Sequence, residues 1–568
     1  MSLIGALNIS SSALQVNQAA LQVTGNNIAN ASDPNYTREV ANTVSTGSQQ
    51  IGQNISVGNG VDLTSIQRQI DEALNSRLRS SVSDQSAAST SSDWLTRIQS
   101  TFNELGDQDI STQMSNFFNS WSALASNPTD SSQQALVIQD GQNLAGQIQS
   151  VRSDLTDIQN DLGTSIKSMT SNANTLAQQV ADLNKQIAAA QGSGGGPPNA
   201  LLDQRDGVLQ QLSQLVNIST TDAGNGVDNV YIGSQPLVMG SSSNGLTTTN
   251  TNVNGQNVLS VNIKSTGAAA NITSGQLGSM VQLQTGQLQQ TISQLDTLSS
   301  NLITEVNQVY SGGQGTEGYT NTTSTNAVTD PTAALDAAGL PSTPTTGSFV
   351  VGVYNASGQL VSSGLISVKL GADANGSPTT LNSLASSLGS IANITASVNN
   401  GKLTLSTGSS GLQIKFGDQT GDTSGTLAAL GLNSFFSGTN ASDISVNSAV
   451  AANSSLLATG DGITANAIAT SIAGLQTQSI SGLNGETLTS SYDNMINQVA
   501  VSVSSAASTS TAATTVNATL QAQRDNLSGV SMDEEAVNMI KQQRAFQGAA
   551  KLVSAIDDMM QTILNMVG

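Results

Sequence analysis

Leucine-type residues recur one heptad apart at Leu7, Leu14, Leu21 and Ile28. A second apolar row, Ile9, Val16 and Val23 with Ala13 and Ala20, runs along another side of the same helix. The far end of the chain repeats the device. Met539, Phe546, Val553, Met560 and Val567 are spaced by seven, and Ala545, Leu552, Met559 and Met566 form a second seven-residue row beside them. A helix buries one stripe against one partner, so two stripes need two. Burying each leucine-type side chain is worth about 1.5–3 kcal/mol. One partner of each terminal helix can be the other terminal helix. The remaining face must meet another molecule, because an exposed row of that size promotes aggregation. Contacts of this kind that do not close on themselves build filaments or tubes. The candidate subunit-interface residues are therefore Leu7, Leu14, Val16, Leu21, Val23 and Ile28 at one end, and Phe546, Val553, Ile556, Met560 and Ile563 at the other.

A chain of 568 residues is too long for one ordinary domain. Only 10% of its residues are charged and 3% aromatic. The 17 basic residues against 38 acidic ones leave a net charge of −21, which repels phosphate backbones and anionic membranes. We expect neither nucleic acid nor membrane as a partner. The absence of Cys and His removes disulfides, thiol chemistry, thiolate metal sites and imidazole bases together. Carboxylate-only chemistry, a calcium site or a two-carboxylate hydrolase, stays open on composition. No apolar run approaches the roughly 20 residues that span a bilayer. The N-terminus has neither the basic region nor the continuous apolar core of a cleaved secretory signal.

The first helix is expected from Ser2 to about Ala29, ended by Asp33-Pro34-Asn35, since a residue before proline avoids helix. Residues 40–65 read as extended. Leu144, Ile148, Val151, Leu155, Ile158, Leu162, Ile166, Met169, Ala173, Leu176, Val180, Leu183 and Ile187 alternate steps of four and three, with one stutter at Leu162. This is a coiled-coil seam, and Gly192-Ser193-Gly194-Gly195-Gly196-Pro197-Pro198 breaks it. Helices carrying Leu201 to Leu215 and Leu288 to Val309 follow, with short strands at 218–265 between them. Residues 312–343 read as a linker. Phe349 to Val351, Leu365 to Val368, Lys402 to Leu405 and Leu412 to Ile414 alternate like strands around Asn-Ala-Ser-Gly and Asn-Asn-Gly turns. Long helices return over Leu488 to Leu527 and Asp533 to Met566. The fold class is mainly α with a β-rich insert, and the two terminal helices pair.

Catalysis finds little footing. Asp533-Glu534-Glu535 sits in a first helical turn with Ser531 available as its cap, where acids complement the helix dipole. Asp203 and Asp206 around Arg205 read as a helix-surface ion pair. The glycine run at 192 lacks the Lys-Ser/Thr of a phosphate loop. No catalytic, cofactor-binding or metal residue is assigned.

Ser10-Ser11-Ser12-Ala13-Leu14, Thr24-Gly25-Asn26-Asn27-Ile28-Ala29-Asn30-Ala31 and Pro34-Asn35-Tyr36-Thr37-Arg38 resemble the N-terminal signature of bacterial flagellar axial proteins. Ser528 to Ala536 and Gln542 to Lys551 resemble the closing signature of the same proteins. Asn199-Ala200-Leu201-Leu202-Asp203-Gln204-Arg205-Asp206, with Val230-Tyr231-Ile232 and Leu237-Val238 beyond it, looks like the hook-associated, hook-filament junction family. Ala441 to Val446 fits where such chains re-enter the inner part of the fold. Tyr310-Ser311-Gly312-Gly313 departs from the His-Gly-type stretch common there. The resemblance covers roughly 1–310 and 440–568. It implies a coiled-coil inner domain (1–60 with 525–568), a helical rod domain (61–325 with 440–524, with a short β segment near 218–265) and a β-rich outer domain (326–439). It also implies a structural subunit of the flagellum, exported by the flagellar type III system to the cell exterior. The partners it implies are other copies of the chain, the hook protein, a second junction protein and a cytosolic export chaperone on the C-terminal helix. Another axial protein, hook or distal rod, and a secreted surface adhesin are the alternatives. A hook-like chain should be richer in strands, and the insert offers no aromatic platform for glycans.

Overall fold

The computed structural model describes residues 3–52, 55–102, 109–193, 196–253, 256–417 and 421–567. The chain forms two compact units, each assembled from separated stretches: residues 1–94, 161–285 and 504–568 in the first, 95–160 and 286–503 in the second.

In the first unit the N-terminal helix, Leu3–Ala29, carries no Asp, Glu, Lys or Arg. It packs on the C-terminal helix, Met532–Val567, and on an antiparallel ribbon of Glu39–Ser45 with Val61–Arg68. Its two apolar rows therefore have two partners inside the chain, and the ribbon is the one that sequence reasoning left out. The Ile9 row lies on the ribbon side. Gly60 takes a φ of +110° there, and a Cβ on it would stand 2.5 Å from Ser12 Oγ and 3.4 Å from Ile9 Cα. Ser12 Oγ in turn accepts a hydrogen bond from Val61 N at 3.3 Å. Gly60→Val combines an unfavourable φ with a collision and is expected to cost about 1–3 kcal/mol. Faster amide exchange over the N-terminal helix, with the second unit unchanged, is the measurement that checks it.

The helix Ser131–Gly192 gives residues up to 160 to the second unit and the rest to the first. In the first unit it lies on strands. Asn174 bridges Leu246, donating to its carbonyl at 2.9 Å and accepting from its amide at 2.6 Å. Leu162, Ile166, Ala173, Val180 and Ile187 of the expected seam are buried, but the positions between them are Thr170, Ala177 and Asn184. Met169, Leu176 and Leu183 are only half-buried. Small residues at the centre let the helix lie close on the strand layer, while the bulkier ones flank the contact. The strands are a four-stranded sheet, Ser219–Asp222, Asp228–Ile232, Gln235–Met239 and Ser242–Ser243, and a hairpin, Leu246–Val253 with Gln256–Ile263.

Among the described residues the second unit shows two cores. The first gathers Phe117, Phe118 and Trp121 of the helix Ile110–Ser126 with Tyr310, Phe435 and Phe436; the paired ring centroids lie 4.8–6.3 Å apart and several meet edge to face. Tyr310 ends the helix Gln287–Tyr310, and its hydroxyl accepts from Ala458 N at 3.1 Å. The second core lies between two three-stranded sheets, Leu360–Val368/Gly347–Asn355/Leu412–Phe416 and Asn321–Thr323/Lys402–Thr407/Ile394–Asn399, with the helix Leu381–Gly389. Asn400 and Gly401 adopt φ of +51° and +75° in the expected Asn-Asn-Gly turn. The linker reading of 312–343 is corrected. Tyr319, Val328, Leu335 and Ala338 are buried in this core, and the Thr-rich Asn321–Thr323 adds an edge strand. Polar composition described its solvent side and hid four anchors.

Candidate assembly interface

The terminal helices leave one surface covered and one open. On the C-terminal helix Met539, Phe546, Val553 and Met560 are half-buried and Ile556 is buried. The parallel row is open: Leu552 and Met559 are 47% and 48% exposed and Met566 81%, with Val537, Ile540, Ile563 and Leu564 exposed around it. On the N-terminal helix Leu7, Leu14, Val16, Leu21 and Ile28 are half-buried and Val23 is buried. Of the eleven residues expected at an interface, Ile563 alone is exposed in the lone chain. The open surface centres on the Leu552 row and its exposed neighbours; the sequence shows that row as a repeat but gives no sign of its being the outer one.

One end of the helix pair is fixed by a polar cluster. Asn27, 1% exposed, uses both amide hydrogens and its oxygen twice. It donates to Glu39 O at 3.0 Å and Glu535 Oε2 at 3.1 Å, and accepts from Tyr36 OH at 2.8 Å and Glu39 N at 2.9 Å. Arg38 reaches Glu535 Oε1 through Nε at 2.9 Å and its second nitrogen at 2.8 Å, and its amide donates to Ser528 O at 2.9 Å. Glu535 is 2% exposed, so this acid does more than complement a helix dipole; it holds the C-terminal helix to the loop after the N-terminal one.

The third motif joins the same cluster. Asn199 donates to Glu39 Oε1 at 2.9 Å and Ile66 O at 3.2 Å. Asp203 accepts from Thr37 N at 3.2 Å and from Arg68 at 2.8 Å, and Arg68 also reaches Asp206 at 2.7 Å. Arg205 pairs instead with Asp228 at 2.7 Å and donates to Asn184 Oδ1 at 3.1 Å. The expected surface pairing among Asp203, Arg205 and Asp206 is thus corrected: Asp203 and Arg205 are buried and turned to partners on other elements. Burial pushes the Asp203 carboxyl up from its ordinary range, and Arg68 pulls it part of the way back. Burial likewise raises Asp228 against the pull of Arg205, and raises the Tyr36 hydroxyl with the help of Glu39. Among the described residues no group of three or more acidic side chains could hold a metal, and no helix is long and apolar enough to cross a membrane.

Residues 95–324 match the family model of the flagellar hook-associated protein FlgK helical domain. Over 237 residues the chain is 30% identical to flagellar hook-associated protein 1 of Escherichia coli (strain K12), covering 41% of this chain and 43% of that protein. Over this part of its length the chain is similar to flagellar hook-associated protein 1. Its two ends match a flagella basal body rod protein model (7–37) and a flagellar basal body rod FlgEFG protein C-terminal model (521–566). These segments contain Asn27 and Glu535, which meet in the polar cluster. Flagellar hook-associated protein 1 of Bacillus subtilis (strain 168) is 30% identical over 218 residues, covering 37% of this chain and 42% of that one. The matches thus span little more than two-fifths of the length of these relatives. A solved structure, the flagellar hook junction protein FlgK from Burkholderia pseudomallei, has a TM-score of 0.49 at 17% identity, covering 79% of this chain and 99% of that chain.

Proposed function

We propose that this chain is a hook-associated protein 1, a structural subunit of the bacterial flagellum that forms the junction between hook and filament and catalyses no reaction. The observation that carries this is the apolar row Leu552, Met559 and Met566, left open beside rows that are half-buried or buried between the paired helices. Such a row is stable in water only when other subunits cover it. Its partners are copies of itself, the hook protein below, a second junction protein above and, before assembly, an export chaperone on the C-terminal helix. It reaches the flagellum through the type III export route. The paired ends (1–60 with 525–568) form an inner domain, 61–325 with 440–524 a helical domain, and 326–439 an outer β domain.

Met559→Asp with Ile563→Asp tests this reading. Both side chains are exposed, so unfolding of the isolated chain should shift by no more than about 0.5 kcal/mol. Cells carrying the variant should export the chain yet lose motility and shed filaments from their hooks. Normal swimming with intact hook-filament junctions would refute the proposal.

A further inference from the structure

The exposed strip of the C-terminal helix carries charge as well as apolar surface. Lys541, Arg544 and Lys551 are exposed beside Ala545 and Leu552, and among the described residues none of the three is in an ion pair. Three unpaired cations on one helix stand out in a chain with 17 basic and 38 acidic residues. The first unit also holds their complement. A cleft of about 630 Å³ opens between the loop after the N-terminal helix and the helices Ser131–Gly192 and Asn199–Leu215. Asp33, Glu39 and Asp182 line it together with glutamine and asparagine amides, and no Lys or Arg does. Its apolar floor includes Leu183 and Val208, both half-buried.

We infer that the basic and apolar strip Lys541–Leu552 of one copy docks into this carboxylate-lined cleft of a second copy, an inference that rests on the chain being a self-assembling flagellar subunit. Lys541, Arg544 and Lys551 face Asp33, Glu39 and Asp182, and Leu552 covers Leu183 and Val208. The two patches lie on different parts of the chain, so the contact is heterologous and repeats from copy to copy around a ring or along a helix. Opposite charge sets the choice of partner and the orientation more than the affinity. It also makes the contact weaken as salt rises.

The chain has no cysteine, so introduced thiols report the contact directly. Flagella are isolated from cells co-expressing an Asp182→Cys chain and a Lys551→Cys chain, and are oxidised mildly. A disulfide-linked dimer is expected from the mixture and not from either chain alone. In parallel, Lys551→Asp should reduce the number of motile cells at least ten-fold, and Asp182→Lys added to the same chain should restore it, because every copy supplies both patches. Intact junctions with no dimer, or a double variant as impaired as the single one, would overturn the inference while leaving the proposed function standing. Wild-type chains that never appear in isolated flagella would overturn both.

Discussion

Arg68→Ala is expected to destabilise the first unit by roughly 3–5 kcal/mol, the cost of removing one partner from a buried charge cluster. The Arg68 side chain is 5% exposed and binds Asp203 and Asp206 at once; without it two carboxylates face each other with no cation between them. The loss should depend on pH in a definite direction. Burial raises the folded-state pKa of Asp203 and Arg68 moderates the rise. A carboxyl with a raised folded pKa costs stability once the pH passes its unfolded value, about 4. In the variant the moderating charge is gone and the folded pKa climbs further. The deficit should therefore be largest at neutral pH and shrink as the pH is lowered to about 4. Urea unfolding of wild type and variant at pH 7 and pH 4 checks both the size and the sign; a deficit that grows in acid would contradict the account.

Trp121→Ala should cost the second unit about 3–5 kcal/mol. Trp121 is fully buried against Phe117, Tyr310 and Phe435, so truncation opens a cavity that neighbouring rings are too rigid to fill. Its Nε1 finds no hydrogen-bond partner among the described residues, so the indole acts here as apolar bulk. Trp121→Phe should accordingly lose less than half as much. The calorimetric transition of the second unit should move in both variants, while protease resistance of the terminal helices should not.

These expectations draw unequally on what the chain shows before it is folded. Heptad rows located both terminal helices, because their periodicity is long and uninterrupted. Period-two runs located the strands around Phe349, Leu403 and Ile414. What stayed hidden was pairing across the sequence. Asn27 and Glu535 are 508 residues apart, and no local pattern links them. Asp203, Arg205 and Asp206 read as one surface group because they are adjacent, although their partners Arg68 and Asp228 sit on strands. The aromatic core joins residues near 117, 310 and 435 that share no motif. The second apolar row of the N-terminal helix reads as needing another molecule, because a ribbon of half-exposed strands gives little sign in sequence that it can shelter one. The open surface proved to be on the opposite terminus.

The contact between Asn27, Arg38 and Glu535 has a consequence for assembly. Two helices joined along apolar seven-residue rows can slide along each other by one turn, about 5.4 Å, at little cost in packing. Here such a slip would leave a carboxylate and a guanidinium stranded away from water, so the pair has a single axial alignment. Every molecule then presents its outward side chains at the same height, so copies are interchangeable rather than a mixture of slipped forms.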